Sequence, residues 1–145
     1  MQVITAEDLT RNPQRVLDSV RAGEPAIIEQ RGQASVAIVD VVDYQLLQAA
    51  VRAQGWPVSD SDLERGLPQD VVERESNLQG RFDLGLRYYL AGAISTGRLS
   101  EVLHIPFAEI STRFHRLGIP IRIGVESIDE ILGDVDTAAR VTSRA

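Results

Sequence analysis

Two β-prone runs flank a short turn near the start of the chain, and this pattern most constrains how the chain can fold. The runs are residues 26–30 and 34–39, and the turn between them is Arg31-Gly32-Gln33. Two such runs around a glycine-containing turn are typical of a β-hairpin, because glycine tolerates the backbone angles that a tight turn needs. The sequence therefore predicts a hairpin in the first third of its 145 residues.

Helix signals stand before and after the predicted hairpin. A short extended start ends at Thr5, which has acidic residues behind it, as is typical of a helix N-terminus. Pro13 can open a second helix, and Gly23 can end it. Residues 40–53 have the apolar spacing of an amphipathic third helix. We therefore expect a β-α-α-β-β-α domain over residues 1–54.

The pattern changes twice after that domain. Residues 55–80 begin with Gly55-Trp56-Pro57 and carry two arginines against six acids, which predicts an acidic linker with helical segments and Trp56 as a packing anchor. Residues 81–145 form a mostly helical C-terminal domain, in which three short helices with tight turns fit a helix-turn-helix-like unit. The predicted fold class is α+β.

Several classes of function find no support in the composition and motifs. The chain has no cysteine, so disulfides and thiolate metal sites are excluded, and His104 and His115 lack the spacing of a metal-binding helix. No phosphate-binding loop and no acid–base pair of carboxylates is recognisable. No apolar run approaches 18 residues, and no basic segment opens the chain. We expect a cytoplasmic protein that is not an enzyme and needs no metal or cofactor.

An ordered set of residues runs without a gap through the first 53 positions. It consists of Met1-Gln2-Val3-Ile4-Thr5-Ala6, Leu9, Arg11-Asn12, Val16-Leu17, Val20, Ala22-Gly23-Glu24-Pro25, Ile27-Ile28, Arg31-Gly32-Gln33, Val36-Ala37-Ile38-Val39 and Asp43-Tyr44. This set resembles the Phd/YefM (prevent-host-death) family of type II antitoxins. The resemblance implies a homodimer or higher oligomer that binds operator DNA, represses its own operon and holds a toxin through a more C-terminal segment.

A second ordered set of residues covers about residues 84–135. It consists of Tyr89-Leu90-Ala91-Gly92-Ala93-Ile94-Ser95, Leu99-Ser100-Glu101-Val102-Leu103, Phe107, Glu109-Ile110, Leu117-Gly118-Ile119-Pro120-Ile121 and Ser127-Ile128-Asp129-Glu130-Ile131-Leu132. This set resembles a small, poorly characterised family of bacterial proteins that are encoded beside PIN-domain toxins, and it departs from the commoner pattern at Thr96-Gly97-Arg98 and at His104-Ile105-Pro106. The resemblance implies a PIN-domain ribonuclease as the partner and assigns toxin binding to the C-terminal domain, residues 81–145.

Candidate DNA-binding residues are polar or cationic and cluster near the N-terminus. Arginine binds phosphate and guanine edges, and asparagine can pair with adenine, so Arg11-Asn12 is the best pair. The alternative for Asn12 is that it only caps the helix opened by Pro13, and Arg31 is a peripheral phosphate contact or a solvated turn residue. The full set is Gln2, Thr5, Thr10, Arg11, Asn12, Arg15 and Arg31.

Candidate toxin-binding residues form two apolar stripes among acidic side chains, which suits a groove on a basic partner. The alternative is that the stripes close the chain's own core. A third helix with Thr112, Arg113, His115 and Arg116 fits a recognition helix or an ordinary solvated face. The stripes are Leu63, Leu67, Val71 and Val72, and Ile128, Ile131, Leu132 and Val135.

The sequence thus favours a type II antitoxin that neutralises a toxin by direct binding and represses its own operon. The alternative from another class is a stand-alone DNA-binding transcriptional regulator without a toxin. An adaptor that binds only proteins is a third possibility.

Overall fold

The computed structural model describes residues 1–122, which contain a three-stranded sheet and eight helices. The expected α+β class is confirmed. The chain divides into two compact units, Met1–Leu47 and Gln48–Ala145, and the boundary between them falls inside a helix. Each unit is described by itself.

The first unit contains three strands and the helices around them. β1 (Gln2–Thr5) leads into α1 (Ala6–Arg11) and α2 (Pro13–Arg21); the hairpin follows as β2 (Ala26–Gln30) and β3 (Gln33–Ile38), and α3 (Val41–Gln54) crosses the boundary between the units. The elements follow in the order that the sequence pattern predicts. The hairpin turn is one residue shorter than expected, because Gln33 already belongs to β3.

The sheet has the order β1-β2-β3. β1 pairs with β2 in parallel, and β2 pairs with β3 antiparallel. The parallel pair is possible because α1 and α2 carry the chain back to the start of the sheet. Arg31 and Gly32 both have positive φ, as in the two-residue turns that match the twist of a hairpin. The β2–β3 register shifts between Ile28 and Glu29.

The core of the first unit is small. Val16, Val20 and Ala26 are buried and form one cluster, against which Ile4, Leu9 and Ile38 pack in part. Burying one such aliphatic side chain stabilises a fold by about 1.5–3 kcal/mol, so few of these contacts hold the unit together. Several large apolar side chains of the unit stay exposed: Met1, Val3, Leu17, Val36, Val41, Tyr44 and Leu47.

The second unit is helical throughout its described part. After the end of α3 come α4 (Asp60–Arg65), α5 (Gln69–Arg74), α6 (Leu78–Leu90), α7 (Thr96–Leu103) and α8 (Phe107–Leu117). The segment 55–80, for which the sequence predicts an acidic linker with helical segments, contains α4 and α5. Leu67 and Val72 are buried, and the Arg98 guanidinium donates to the Leu67 carbonyl (3.1 Å) and to the Gln69 side chain (3.0 Å).

Two contacts explain how α6, α7 and α8 pack. Gly85 of α6 faces α7 so closely that a Cβ there would lie 2.9 Å from Leu99 Cδ1. Tyr89 of α6 is fully buried and packs on Phe114 of α8, with ring centroids 5.5 Å apart. Its hydroxyl donates to the Pro120 carbonyl (2.8 Å), so the polar end of the ring is satisfied in the interior.

A three-residue connection, His104 to Pro106, joins α7 to α8. α7 ends with His104 in the left-handed region (φ 54°, ψ 38°), and the Ile105 N–H donates to the Ser100 carbonyl at 3.2 Å. These are the features of a Schellman helix end, where glycine is the usual residue. Side chains other than glycine, asparagine and aspartate pay a steric cost of about 1 kcal/mol there.

We predict that His104→Gly stabilises the second unit. Removing the Cβ relieves the left-handed strain, and part of the gain is lost because glycine makes the unfolded chain more flexible, so we expect about 0.5–1 kcal/mol in the free energy of unfolding. Urea unfolding followed by the fluorescence of Trp56, the single tryptophan, measures it. His104→Ala keeps the strain and should give no gain; equal midpoints for the wild type and His104→Gly contradict the prediction.

Candidate functional site

Four of the predicted DNA-binding residues come together at one depression of the first unit. Gln2 on β1, Arg11 at the end of α1, and Asn12 and Arg15 at the start of α2 line a hollow of about 440 Å³. Ile4, Asp8 and Val16 complete its lining. These residues come from three elements. Gln2 lies on β1, Arg11 ends α1 and Arg15 belongs to α2, so the depression lies where the three elements meet.

Arg11 and Arg15 supply the positive charge of this depression, and both are exposed. The break between α1 and α2 at Asn12 places the two arginines on different helices, although they are four residues apart. Exposed guanidinium groups bind phosphate oxygens with little loss of hydration. Asp8 is the acidic side chain in the lining, and it weakens the positive potential there.

Asn12 and Thr5 have their oxygen atoms committed to helix ends. The Asn12 side-chain oxygen accepts from the Arg15 N–H (3.3 Å), and the Thr5 hydroxyl accepts from the Asp8 N–H (3.1 Å). Pairing with adenine needs both the oxygen and the NH₂ group of asparagine. As folded, Asn12 therefore offers only its NH₂ group, which fits a phosphate contact better than a base contact.

Gln2 carries an unsatisfied donor beneath the same depression. Its side chain is half-buried, and the buried Nε2 atom has no hydrogen-bond partner within residues 1–122. A buried donor without a partner costs about 1–3 kcal/mol, and a side chain in this state gains stability if it turns towards an acceptor. The Gln2 backbone N–H is already used, because it donates to the Pro25 carbonyl (3.0 Å).

The remaining predicted DNA contacts lie outside the depression. The Thr10 hydroxyl donates to the Ala6 carbonyl (3.0 Å), and Thr10 lines a shallow surface beside Arg11. Arg31 is exposed at the hairpin tip and shares a second hollow, of about 680 Å³, with Thr5 and with the acids Glu7 and Glu29. Those two carboxylates make the second hollow less suited to phosphate than the first.

The first predicted toxin-binding stripe is only partly on the surface. Leu63 on α4 is 36% exposed and Val71 is half-buried, whereas Leu67 and Val72 are buried at 5% and 4% exposure. Leu67 and Val72 thus contribute to the chain's own core, which is the alternative to toxin binding that the sequence left open for this stripe. The second stripe, Ile128, Ile131, Leu132 and Val135, lies outside the described residues.

Leu63 does line an apolar groove of about 370 Å³ in the second unit, together with Trp56, Pro57 and Leu90. The Arg87 guanidinium holds one wall by donating to the Trp56 carbonyl (3.1 Å) and the Pro57 carbonyl (2.9 Å). Trp56 is 55% exposed, so its predicted role as a packing anchor is wrong. The hydrogen bonds from Arg87 hold the backbone of this loop and not the indole ring of Trp56, which stays partly in solvent. No feature of the sequence marks this groove.

Two further observations concern residues 1–122 alone. No group of three or more histidine, aspartate and glutamate side chains is placed to hold a metal ion in this part of the chain. None of its helices is long and apolar enough to cross a membrane.

We predict that the capping box of α1 keeps the pKa of Asp8 below its ordinary value. The carboxylate accepts from the Thr5 N–H (3.0 Å), and the Thr5 hydroxyl adds a second contribution. A lowered pKa means that the cap is fully formed above the ordinary aspartate pKa of about 3.9 and is lost as the pH falls through the lower folded value.

Carboxyl ¹³C shifts followed over pH measure this value. Thr5→Val should move the pKa of Asp8 up towards its ordinary value, because one of the two Thr5 contributions is removed. Thr10→Val is the matched control, since its hydroxyl bonds to the Ala6 carbonyl and not to Asp8. An Asp8 pKa that is the same in all three proteins contradicts the assignment.

The comparisons with known proteins agree with the resemblance seen at the N-terminus. Residues 1–70 match the family model described as Antitoxin Phd_YefM, type II toxin-antitoxin system. No curated protein matches the chain, and no solved structure matches it either. The match covers the whole first unit and ends in the second, and it supports an antitoxin of a type II system. The N-terminal segment of this chain, residues 1–70, is thus similar to the Phd/YefM antitoxins.

Proposed function

We propose that this chain is a non-enzymatic cytoplasmic antitoxin that binds the operator of its own operon through the first unit and a toxin through the second. The observation that carries the DNA-binding part is the convergence of Gln2, Arg11, Asn12 and Arg15 at one depression. The family match over residues 1–70 supports the antitoxin part. The toxin class that we propose, a PIN-domain ribonuclease, rests on the resemblance of residues 84–135.

DNA binding by this surface calls for two copies of the chain. Residues 1–47 hold four arginines against seven acids, so a single first unit attracts DNA weakly. Binding affinity grows with the number of phosphates that are neutralised, and a dimer presents Arg11 and Arg15 twice. A symmetric dimer also matches a palindromic operator.

Apolar surface on the first unit supports a homodimer. Val36 lies on the edge strand β3 and is 55% exposed, and Tyr44 and Leu47 of α3 are exposed as well. The small core around Val16 and Val20 leaves these side chains uncovered within one copy. Exposed apolar patches of this kind commonly mark protein interfaces, and a second copy would bury them.

The groove lined by Leu63, Trp56 and Leu90 is the surface that we propose for the toxin. It offers an aromatic ring and aliphatic side chains, which are frequent anchors of protein interfaces. Asp60 and Asp62 of α4 stand in the same helix as Leu63 and suit a basic, RNA-cutting partner. The apolar residues between Ile128 and Val135 are proposed as a further toxin contact.

One observation favours the alternative, a transcriptional regulator without a toxin. α7 and α8 are joined by three residues and lie in a basic part of the chain, as a helix-turn-helix-like unit would. A regulator of this kind would need neither the groove nor a neighbouring gene. Co-expression with the adjacent reading frame separates the two, because only the antitoxin would be purified in a stable complex with its product.

We predict that Arg11→Ala weakens operator binding at least about fivefold and lowers the slope of log affinity against log salt by about two. The loss follows from removal of one cation from the depression of each of the two copies. Fluorescence anisotropy with the DNA upstream of the chain's own gene, at several salt concentrations, measures both quantities.

Arg21→Ala is the matched control, since Arg21 is an exposed arginine of the neighbouring helix α2 that stands 3.8 Å from Asp18 and does not line the depression. Dimer formation and toxin binding should be the same in both variants. Equal DNA affinity of Arg11→Ala and the wild type would move the DNA site elsewhere.

We predict that Leu63→Gln weakens toxin binding while leaving operator binding intact. The substitution places a polar amide in the groove and removes an apolar contact, and it is tolerated by the fold because Leu63 is partly exposed. Leu78→Gln controls for the loss of an exposed leucine, since Leu78 is 56% exposed on α6 and does not line the groove.

Growth rescue by co-expression with the toxin and pull-down of the tagged toxin are the two measurements. The expected order is full rescue by the wild type and Leu78→Gln, and reduced rescue by Leu63→Gln. Full rescue and unchanged pull-down by Leu63→Gln would remove the groove from the toxin interface.

A further inference from the structure

We propose that the exposed face of α8 is a second DNA-binding surface of the chain, which enters the major groove of the duplex that the first unit contacts. This inference rests on the operator binding proposed above. The face, named here the α8 face, consists of Ala108, Glu109, Thr112, His115 and Arg116, all of which are exposed.

The connection between α7 and α8 has the form that helix-turn-helix units use. Eight residues of α7 are followed by a three-residue turn and the eleven residues of α8. The left-handed His104 and the Schellman bond at Ile105 end α7 abruptly, and Gly118 ends α8 in the same conformation. A short, sharply closed turn presents the second helix as a separate ridge, which a groove in DNA can accept.

The two sides of α8 are clearly divided. Ile110 and Phe114 are fully buried, and they anchor the helix to the unit. The α8 face lies opposite, with members spaced three or four residues apart as one side of a helix requires. With its side chains an α-helix is about 10–12 Å across, which fits the major groove of about 12 Å.

The chemistry of the α8 face suits base edges and phosphates. Ala108 is small, so the helix backbone can approach the groove floor, while His115 and Arg116 offer hydrogen-bonding groups. The Thr112 hydroxyl donates to the Ala108 carbonyl (2.9 Å), so it offers its oxygen as an acceptor. Glu109 is an acid on this face, and its carboxylate accepts from the Arg113 guanidinium at 2.9 and 3.0 Å. That bond keeps the carboxylate turned towards a cation of the same helix.

The charge of the surrounding segment also favours DNA. Residues 96–122 contain four arginines and two glutamates, in a chain whose net charge is -6. Both glutamates stand in ion pairs with arginines of their own helices, Glu101 with Arg98 (3.1 Å) and Glu109 with Arg113 (2.9 Å). This part of the chain is thus positive where most of the remainder is negative, as a phosphate-binding surface requires.

A protein partner fits the α8 face less well. Protein interfaces are held mainly by a few large apolar or aromatic side chains near their centre. Within the described part of the second unit, the large apolar side chains that are exposed stand on other elements: Val51, Trp56, Leu63, Leu78 and Ile121. The α8 face offers hydrogen-bonding groups and two methyl groups, those of Ala108 and Thr112, which is a surface for a polar, regularly charged ligand.

The absence of cysteine from the chain gives a direct test. Ala108→Cys in the full-length protein provides one thiol on the α8 face, to which an iron–EDTA reagent can be attached. The conjugate is bound to an end-labelled fragment from upstream of the chain's own gene, and strand cleavage is mapped. We expect cleavage at discrete positions beside the bases that the wild type protects, whereas Glu64→Cys, an exposed site on α4, should give none above background.

A second measurement uses charge. Arg116→Ala should weaken binding to the same fragment at least about fivefold and lower the salt slope by about two, because each dimer loses one cation per copy. Arg65→Ala, an exposed arginine on α4, should leave both unchanged. The two variants carry the same change in net charge, so a difference between them reports the position of the arginine.

The outcomes separate this inference from the proposed function. Fragment binding that Arg11→Ala weakens, with no cleavage from Ala108→Cys and no effect of Arg116→Ala, overturns the α8 face alone. Reduced toxin pull-down by Arg116→Ala with unchanged DNA affinity overturns it in favour of a protein interface. If the wild type does not bind the fragment at low salt, both proposals are contradicted: operator binding by the chain and DNA binding by the α8 face.

Discussion

Burial of very few side chains holds the first unit together, and its other properties depend on this constraint. Val16, Val20 and Ala26 form the buried cluster, and a three-stranded sheet with two short helices offers little more to cover. Valine, tyrosine and leucine side chains on β3 and α3 stay in contact with water for that reason. A unit with this surface gains stability from association with a second copy, and association also concentrates the arginines at which DNA can bind.

The described part of the second unit buries more of its apolar side chains than the first, through close contacts between its helices. Gly85 lets α6 and α7 approach until a Cβ could not be accommodated, and Tyr89 connects α6 to both α8 and the chain beyond it. The backbone N–H of Arg122 donates to the Tyr89 hydroxyl (2.7 Å), while that hydroxyl donates to Pro120. One buried phenol thus satisfies two backbone groups that would otherwise lie unpaired near the interior.

Local signals in the sequence predict the secondary structure well. The hairpin follows from Arg31-Gly32 between β-prone runs, and the ends of α1 and α2 follow from Thr5 and from Asn12 with Pro13, because the hydrogen bonds that define these features span only a few residues. The convergence of Gln2 with Arg11 depends on the parallel pairing of β1 with β2, which residue spacing alone does not specify. The same local signals do not specify which apolar side chains are buried.

Leu63 and Leu67 belong to one apolar stripe in the sequence, yet the first lines an open groove and the second is in the core. Which member of an amphipathic stripe faces water depends on distant residues such as Arg98, whose guanidinium reaches the Leu67 carbonyl. The exposure of Trp56 is likewise set from α6, by Arg87. Long side chains that bind backbone atoms far along the chain leave no periodic trace in the sequence.

The two hydrogen bonds from the Arg87 guanidinium have a consequence for how such proteins can diverge. They end on the carbonyl oxygens of Trp56 and Pro57, atoms that every amino acid supplies. The path of the loop therefore depends little on which side chains it carries. Substitutions at these positions can change the chemical character of the groove while its width is kept, so paralogues within one genome could acquire different partners through few mutations and avoid cross-reaction.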